Sequence, residues 1–216
     1  MTDQDLEELK HWYANKQLKK QVFYLDDKIE GEYKEWYRNG QLEVQEFYRD
    51  GKREGKRKGW YENGQLHMQE FYQNGKREGE RKLWYENGQL MEQTFHRDGK
   101  WEGECKTWHE NGQLEFHVFY RNGNWEGERK LWYENGQLNE QTFHRDGKRE
   151  GECKIWHENG QLRERGFYRD GHAIDPLFNL NKKCSILQVK KYLHFKSHVS
   201  VIRTYIISDL AKILGN

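Results

Sequence analysis

Trp84 to Thr107 reads WYENGQLMEQTFHRDGKWEGECKT, and Trp132 to Ile155 reads WYENGQLNEQTFHRDGKREGECKI. The two stretches are nearly one 24-letter unit, and stepping by 24 from Trp84 lands on Trp12, Trp36, Trp60, Trp108, Trp132 and Trp156. Seven of the nine tryptophans therefore share one phase, which marks a repeat protein before any other motif is weighed. Phe23, Phe47, Phe71, Phe95, Phe119, Phe143 and Phe167 keep the same step, as do Leu18, Leu42, Leu66, Leu90, Leu114, Leu138 and Leu162. Three glycine columns run through Gly40, Gly51 and Gly31 and their equivalents. In the first unit Lys16 and Asp27 stand where later units have the turn glycines. Such departures are expected of a terminal unit with a neighbour on one side only.

The composition, 34% hydrophobic and 34% charged with a mean hydropathy of −1.29, is close to that of a disordered chain. The 15% aromatic content and the strict phase point instead to an ordered array in which stacked aromatics stand in for a closed core. A net charge of +1 argues against nucleic acid as a partner. From His172 onward there are seven Lys or Arg against two Asp or Glu, so the C-terminal segment is basic. The opening MTDQDLEELK is acidic where a secretory leader needs a basic start and an apolar run. No apolar stretch reaches the roughly 18 residues of a membrane span. Cys105 and Cys153 lie two units apart, about 19 Å if each unit adds two strands, beyond the roughly 7 Å that a disulfide bridges. The expectation is a cytoplasmic protein, not secreted and without a transmembrane segment.

Each unit carries Asn-Gly three residues after the Trp and Asp-Gly or Asn-Gly eleven residues later, both strong hairpin signals. The predicted fold is an all-β repeat array: an elongated single-layer antiparallel β-meander of seven hairpin units starting at residues 12, 36, 60, 84, 108, 132 and 156, with thirteen or fourteen strands. A three-residue x-Asn-Gly loop with a glycine bulge puts Trp84 opposite Leu90, Phe95 opposite Trp101 and Trp125 opposite Phe119. Two-residue loops would put Tyr85 opposite Leu90. The first register is preferred because it pairs two invariant columns. Leu90 and Phe95 are an odd number apart, so either both faces carry apolar ladders or a bulge intervenes.

Residues 1 to 11, with Leu6 and Leu9 behind Thr2, Asp3 and Asp5, read as a lead-in or a short helix. The array runs from 12 to 171. Residues 172 to 216, after the single Pro176, read as a basic helical cap: Val199, Ile202, Ile206, Leu210 and Ile213 follow helical spacing, and Ile186, Val189 and Leu193 make a shorter stripe.

Catalytic chemistry finds little support. Glu78 with Glu80, and their equivalents Glu102 with Glu104, Glu126 with Glu128 and Glu150 with Glu152, recur in unit after unit, whereas acid and base work needs two carboxylates in different environments. His96, His109, His144 and His157 occupy positions where other units have Tyr. Cys105 and His109, four apart in one strand, span about 13 Å, too far for one metal ion. No Gly-Lys pair is followed by Ser or Thr, so there is no phosphate loop. No enzyme activity, cofactor or metal is expected.

The informative residues break the pattern. Trp101 and Trp125 replace the Arg of Arg53, Arg77 and Arg149, and with Phe116 and Val118 they make a candidate partner patch. Lys182, Lys183, Lys190, Lys191, Lys196 and Arg203, beside the apolar stripes, make a candidate contact with anionic lipid. The tryptophans Trp36, Trp60, Trp84, Trp108, Trp132 and Trp156 and the phenylalanines Phe47, Phe71, Phe95, Phe119, Phe143 and Phe167 are the expected structural ladder. The partner classes admitted are a protein, an anionic membrane surface and a second copy of the chain.

With NGQLMEQTFHRDGKWEGECKTWHENGQL in view, the chain resembles the variant class of MORN repeats (membrane occupation and recognition nexus) over about 160 residues, Trp12 to Gly171, with six Asn-Gly-Gln-Leu tetrads in phase. It is also similar to the long arrays of Marseillevirus-type giant DNA viruses, including the basic tail ending ISDLAKILG. The resemblance implies a scaffold or interaction surface, sometimes associated with phospholipid, and no family-wide catalytic residue. Bacterial relatives are often described as antitoxin-like, and the viral likeness implies host cytoplasm or virion.

Overall fold

The computed structural model describes residues 6 to 174, which all belong to one compact unit. The expected helical cap, and with it Lys182, Lys183, Lys190, Lys191, Lys196 and Arg203, lies outside the described residues. The described residues form one antiparallel sheet of twenty segments, fourteen strands of six to nine residues and six two-residue pieces, with no helix. Pairing follows chain order. Leu90–Arg97 pairs back with Gly79–Trp84 and forward with Lys100–Trp101 and Gly103–Trp108, and the other units repeat this. The predicted all-β meander of seven hairpin units is the architecture observed.

The first turn of each unit is the three-residue loop read from the sequence. In the central unit the Tyr85 N–H donates to the Gln89 carbonyl at 2.8 Å and the Gly88 N–H to the Tyr85 carbonyl at 2.9 Å. Asn87 Oδ1 accepts the Gln89 N–H, and Gly88 sits at φ +85°. Trp84 therefore faces Leu90. The second turn differs from expectation. Asp98 and Gly99 both adopt positive φ, 51° and 79°, and close a two-residue loop that leaves His96 opposite Trp101 and Arg97 opposite Lys100. Such a loop matches the right-handed twist of its strands, and aspartate tolerates the left-handed conformation well enough to fill its first position. Trp101 consequently faces His96 rather than Phe95, and Trp125 faces Tyr120 rather than Phe119.

Two bulges interrupt each unit, and the first decides the faces. Leu83 pairs with Glu92 but Trp84 pairs with Leu90, so Met91 is an extra residue that resets the alternation. This settles the odd spacing: Trp84, Leu90 and Phe95 lie on one side of the sheet. The second bulge falls where a two-residue piece such as Lys52–Arg53 meets the strand Gly55–Trp60. Gly55 has φ +78°, and a Cβ added there would meet nothing within 4 Å, so conformation rather than space calls for glycine.

The face opposite the Trp and Phe columns is the core face. Its centre is the column Val22, Glu46, Glu70, Thr94, Val118, Thr142 and Gly166, all buried. Met68, Tyr72, Cys105, Cys153, His96 and His144 are buried beside it. On the open face Phe47, Phe71, Phe119 and Phe143 remain 38 to 43% exposed. No two rings of the Trp and Phe columns stack among the described residues, contrary to the expected ladder. Equivalent residues are two strands apart, about 9.6 Å, whereas ring pairs need roughly 4.5 to 7 Å.

Of the two readings of the N-terminal segment, a lead-in or a short helix, the helix is not observed. Glu7–Trp12 is a strand paired residue by residue with Leu18–Leu25, not a helix. A few residues of helical spacing cannot nucleate a helix unaided when a complete hairpin partner follows.

Candidate functional site

The recurring polar residues hold the units to one another. Tyr37, Tyr61, Tyr85 and Tyr133 donate their hydroxyls to the carbonyls of Trp60, Trp84, Trp108 and Trp156 in the next unit at 2.7 to 2.8 Å. His109 replaces one such Tyr and reaches the Trp132 carbonyl at 3.1 Å through Nε2. Asn39, Asn87, Asn111 and Asn135 donate to the carbonyls of Glu62, Glu110, Glu134 and Glu158.

The carboxylate pairs are occupied in the same way. The first of each pair caps the following Asp-Gly or Asn-Gly turn: Glu78 accepts the Asp98 N–H at 2.9 Å, Glu102 the Asn122 N–H at 2.8 Å and Glu150 the Asp170 N–H at 3.0 Å. The second lies between a lysine and an amide, as Glu80 does between Lys82 at 2.8 Å and Gln93 at 2.5 Å. Burial pushes the Glu80 and Glu128 carboxyls up, but their lysine and glutamine hydrogen bonds outweigh it and hold both below the ordinary carboxylate range. At Glu104 the Lys106 hydrogen bond is the main cause of the same shift. Glu80, Glu104 and Glu128 are thus held ionised near neutral pH and carry no proton to donate.

Among the described residues no group of three His, Cys, Asp or Glu side chains is placed to hold a metal ion. Cys105 and Cys153 are buried free thiols. Burial, followed by the Glu92 charge, pushes Cys105 up to about 12, which leaves it a poor nucleophile.

The four pattern-breaking residues Trp101, Phe116, Val118 and Trp125 share the core face. Trp101 packs between His96 and Tyr120 with ring centres 5.1 and 5.0 Å away, and Trp125 meets His144 edge-on at 5.0 Å. The Arg129 guanidinium lies over the Phe116 and Trp125 rings at 5.2 and 5.1 Å. Val118 is fully buried and out of reach of any partner.

Sequence reading missed the ion-pair ladder beside this cluster. Glu46 accepts from Arg53 at 2.9 Å and Arg57 at 2.8 Å, and Glu70 accepts from Arg57 and Arg77, both at 2.8 Å. Arg81 pairs with Glu92, and Arg129 pairs with Glu140 at 2.9 Å. The available signal was a glutamate in a variable column with arginines in the adjoining strands, but only the register shows that they face one another. Further along the same face six buried polar atoms lack a hydrogen-bond partner: Arg81 Nε, Thr94 Oγ1, His96 Nδ1, Arg129 Nε, Thr142 Oγ1 and His144 Nδ1. They are the same three positions of two units.

The MORN repeat variant family model matches the chain seven times, at residues 8–26, 29–50, 53–76, 77–100, 101–122, 125–148 and 149–170. No curated protein matches the chain.

Proposed function

This chain belongs to the MORN repeat variant family, and from that footing we propose that it is a non-catalytic scaffold that binds protein partners along its open face. MORN repeats are typically non-enzymatic scaffolds for protein or membrane interaction. One observation carries the reading. Many of the polar groups that recur from unit to unit are taken up in bonds between strands and units, and of the recurring apolar side chains the phenylalanines are the ones left most open for contact. Phe47, Phe71, Phe119 and Phe143 stand at a regular pitch on the face opposite the core. Regularly spaced weak contacts on one sheet gain strength through multivalency. Cytoplasmic residence belongs to the same proposal and agrees with the free thiols of Cys105 and Cys153.

The test is affinity capture by the full chain with Phe71→Ser/Phe119→Ser set against Trp101→Arg/Trp125→Arg. The proposal expects selective partners whose recovery falls with the first pair and survives the second. Loss with the tryptophan pair alone, or no selective partner for the unaltered chain, would sink it.

The basic segment supports a second reading, peripheral attachment to anionic membrane through Lys182, Lys183, Lys190, Lys191, Lys196 and Arg203. Flotation with phosphatidylserine vesicles, with and without residues 172–216, separates the two. Floating that depends on that segment favours the membrane. Antitoxin-like inhibition and a giant-virus setting follow from resemblance alone.

A further inference from the structure

The core face repeats one motif in two chemical versions. In the units of Glu46 and Glu70 a buried carboxylate accepts from the arginines around it and from the tyrosine two residues on, Tyr48 at 2.8 Å and Tyr72 at 3.0 Å. In the units of Thr94 and Thr142 the glutamate is replaced by the shorter threonine and the tyrosine by the shorter histidine. The donors remain. Arg81 lies directly opposite Thr94 and Arg129 directly opposite Thr142. Each histidine sits two residues further along the same face, so each triad occupies a single cell of the sheet. Arg129 Nε, Thr142 Oγ1 and His144 Nδ1 are buried without a hydrogen-bond partner, as are Thr94 Oγ1 and His96 Nδ1, whereas Arg81 Nε has the Glu70 carboxylate 3.3 Å away. Native structures seldom leave such groups unpaired, because each forfeits its hydration without a bond in return.

Every orphan atom can donate: an arginine Nε–H, a threonine hydroxyl and a histidine Nδ1. A guest that accepts three hydrogen bonds where two other units place a carboxylate has the character of an anion. The two triads differ in charge. Around Thr142, Arg129 and Arg149 share the single carboxylate Glu140, at 2.9 and 3.5 Å. Around Thr94, Arg77 and Arg81 face two carboxylates, Glu70 and Glu92. The His144 and His96 imidazoles are both pushed down, chiefly by burial and then by two arginines each, against a smaller opposing carboxylate, so the difference between the triads rests on the ion pairs alone.

We propose that Arg129, Thr142 and His144 form a binding site for one small monovalent anion, of which chloride is the type, held where the Glu46 and Glu70 side chains place their own carboxylates. The charge-balanced Arg81, Thr94 and His96 triad is the built-in comparison and binds chloride far more weakly. The site does not depend on what the open face binds.

Chloride-35 NMR line broadening of the full chain, titrated against sodium gluconate at constant ionic strength, tests the proposal. Saturable broadening is expected. Thr142→Val, which removes one donor and keeps the shape, weakens it roughly tenfold or more. Thr142→Glu, which supplies a carboxylate from within the chain, abolishes it, and Thr94→Val leaves it unchanged. Circular dichroism verifies that each variant keeps its sheet. Absence of saturable broadening with the unaltered chain overturns the proposal without reference to any variant. Equal losses from Thr94→Val and Thr142→Val overturn the assignment of the site.

Discussion

Replacing Glu70 by Gln tests whether a buried ion pair, rather than stacked rings, holds the centre of this sheet together. Glu70 is 1% exposed and accepts from Arg57 Nη1 at 2.8 Å, Arg77 Nε at 2.8 Å and the Tyr72 hydroxyl at 3.0 Å. Glutamine keeps the volume, removes the charge and turns one acceptor into a donor that faces guanidiniums. Removing one partner of a buried ion pair costs about 3 to 5 kcal/mol. Three features reduce that here: Arg57 retains Glu46, Arg81 retains Glu92, and the Arg77 side chain is 44% exposed and turns to water. The expected loss is about 2 to 3 kcal/mol, or roughly 5 to 10 °C in Tm for a chain of this length.

The same substitution should alter the acid limb of stability. Burial raises the Glu70 pKa, but the Arg57 hydrogen bond and the Arg77 charge outweigh it, so the folded value is below the unfolded one. A carboxylate lowered in this way contributes stability that is complete above its unfolded pKa and disappears as pH falls through the folded value. Glu70→Gln should therefore cost most near neutrality and least in acid.

Urea denaturation followed by tryptophan fluorescence, at neutral pH and at pH 3, reads both effects. Amide exchange in Gly55–Trp60 and Leu66–Gln73 shows whether the damage is local, as nearest-neighbour coupling between repeats predicts. The exposed Glu62→Gln serves as a control, with a change within about 0.5 kcal/mol. A loss for Glu70→Gln below about 1 kcal/mol, the range of surface pairs, or a loss equal at both pH values, would refute the reasoning.

Three further outcomes are expected. Lys16 holds φ at 66° where later units have glycine, so Lys16→Gly should stabilise the first hairpin by about 0.5 to 1 kcal/mol in urea titration, and a destabilisation would show that the lysine is unstrained. Tyr61→Phe removes the 2.7 Å bond to the Trp84 carbonyl and should cost about 1 kcal/mol; a neutral result would mean that water satisfies that carbonyl equally well. Cys105, buried and pushed up to about 12, should resist thiol reagents at pH 8 until the chain is unfolded, and rapid native labelling located by mass spectrometry would contradict its packing.

Much of this architecture is legible in the letters, for reasons that are local. The 24-residue step needs no partner to be seen. Asn87-Gly88 and Asp98-Gly99 declare their turns because few other residues accept a left-handed backbone, and the x-Asn-Gly loop was enough to place Trp84 opposite Leu90. The rejection of Glu78 with Glu80 as an acid and base pair also followed from recurrence alone, and each of these carboxylates proves to hold a neighbouring unit or strand.

The core lay beyond that reach. The columns that never vary, Trp, Leu and Phe, lie on the open face, while the most buried column changes from Val22 to Glu46, Glu70, Thr94, Val118, Thr142 and Gly166. No repeated letter marks it. A strand sends alternate residues to opposite sides, so one residue more or less at a turn or bulge exchanges the inside for the outside. The sequence by itself determined the period, the turns and the meander, because each rests on backbone preferences within a few residues. Which face became the core, and which arginine met which glutamate, was decided by the extra residue at Met91 and the two-residue loop at Asp98-Gly99 acting across paired strands.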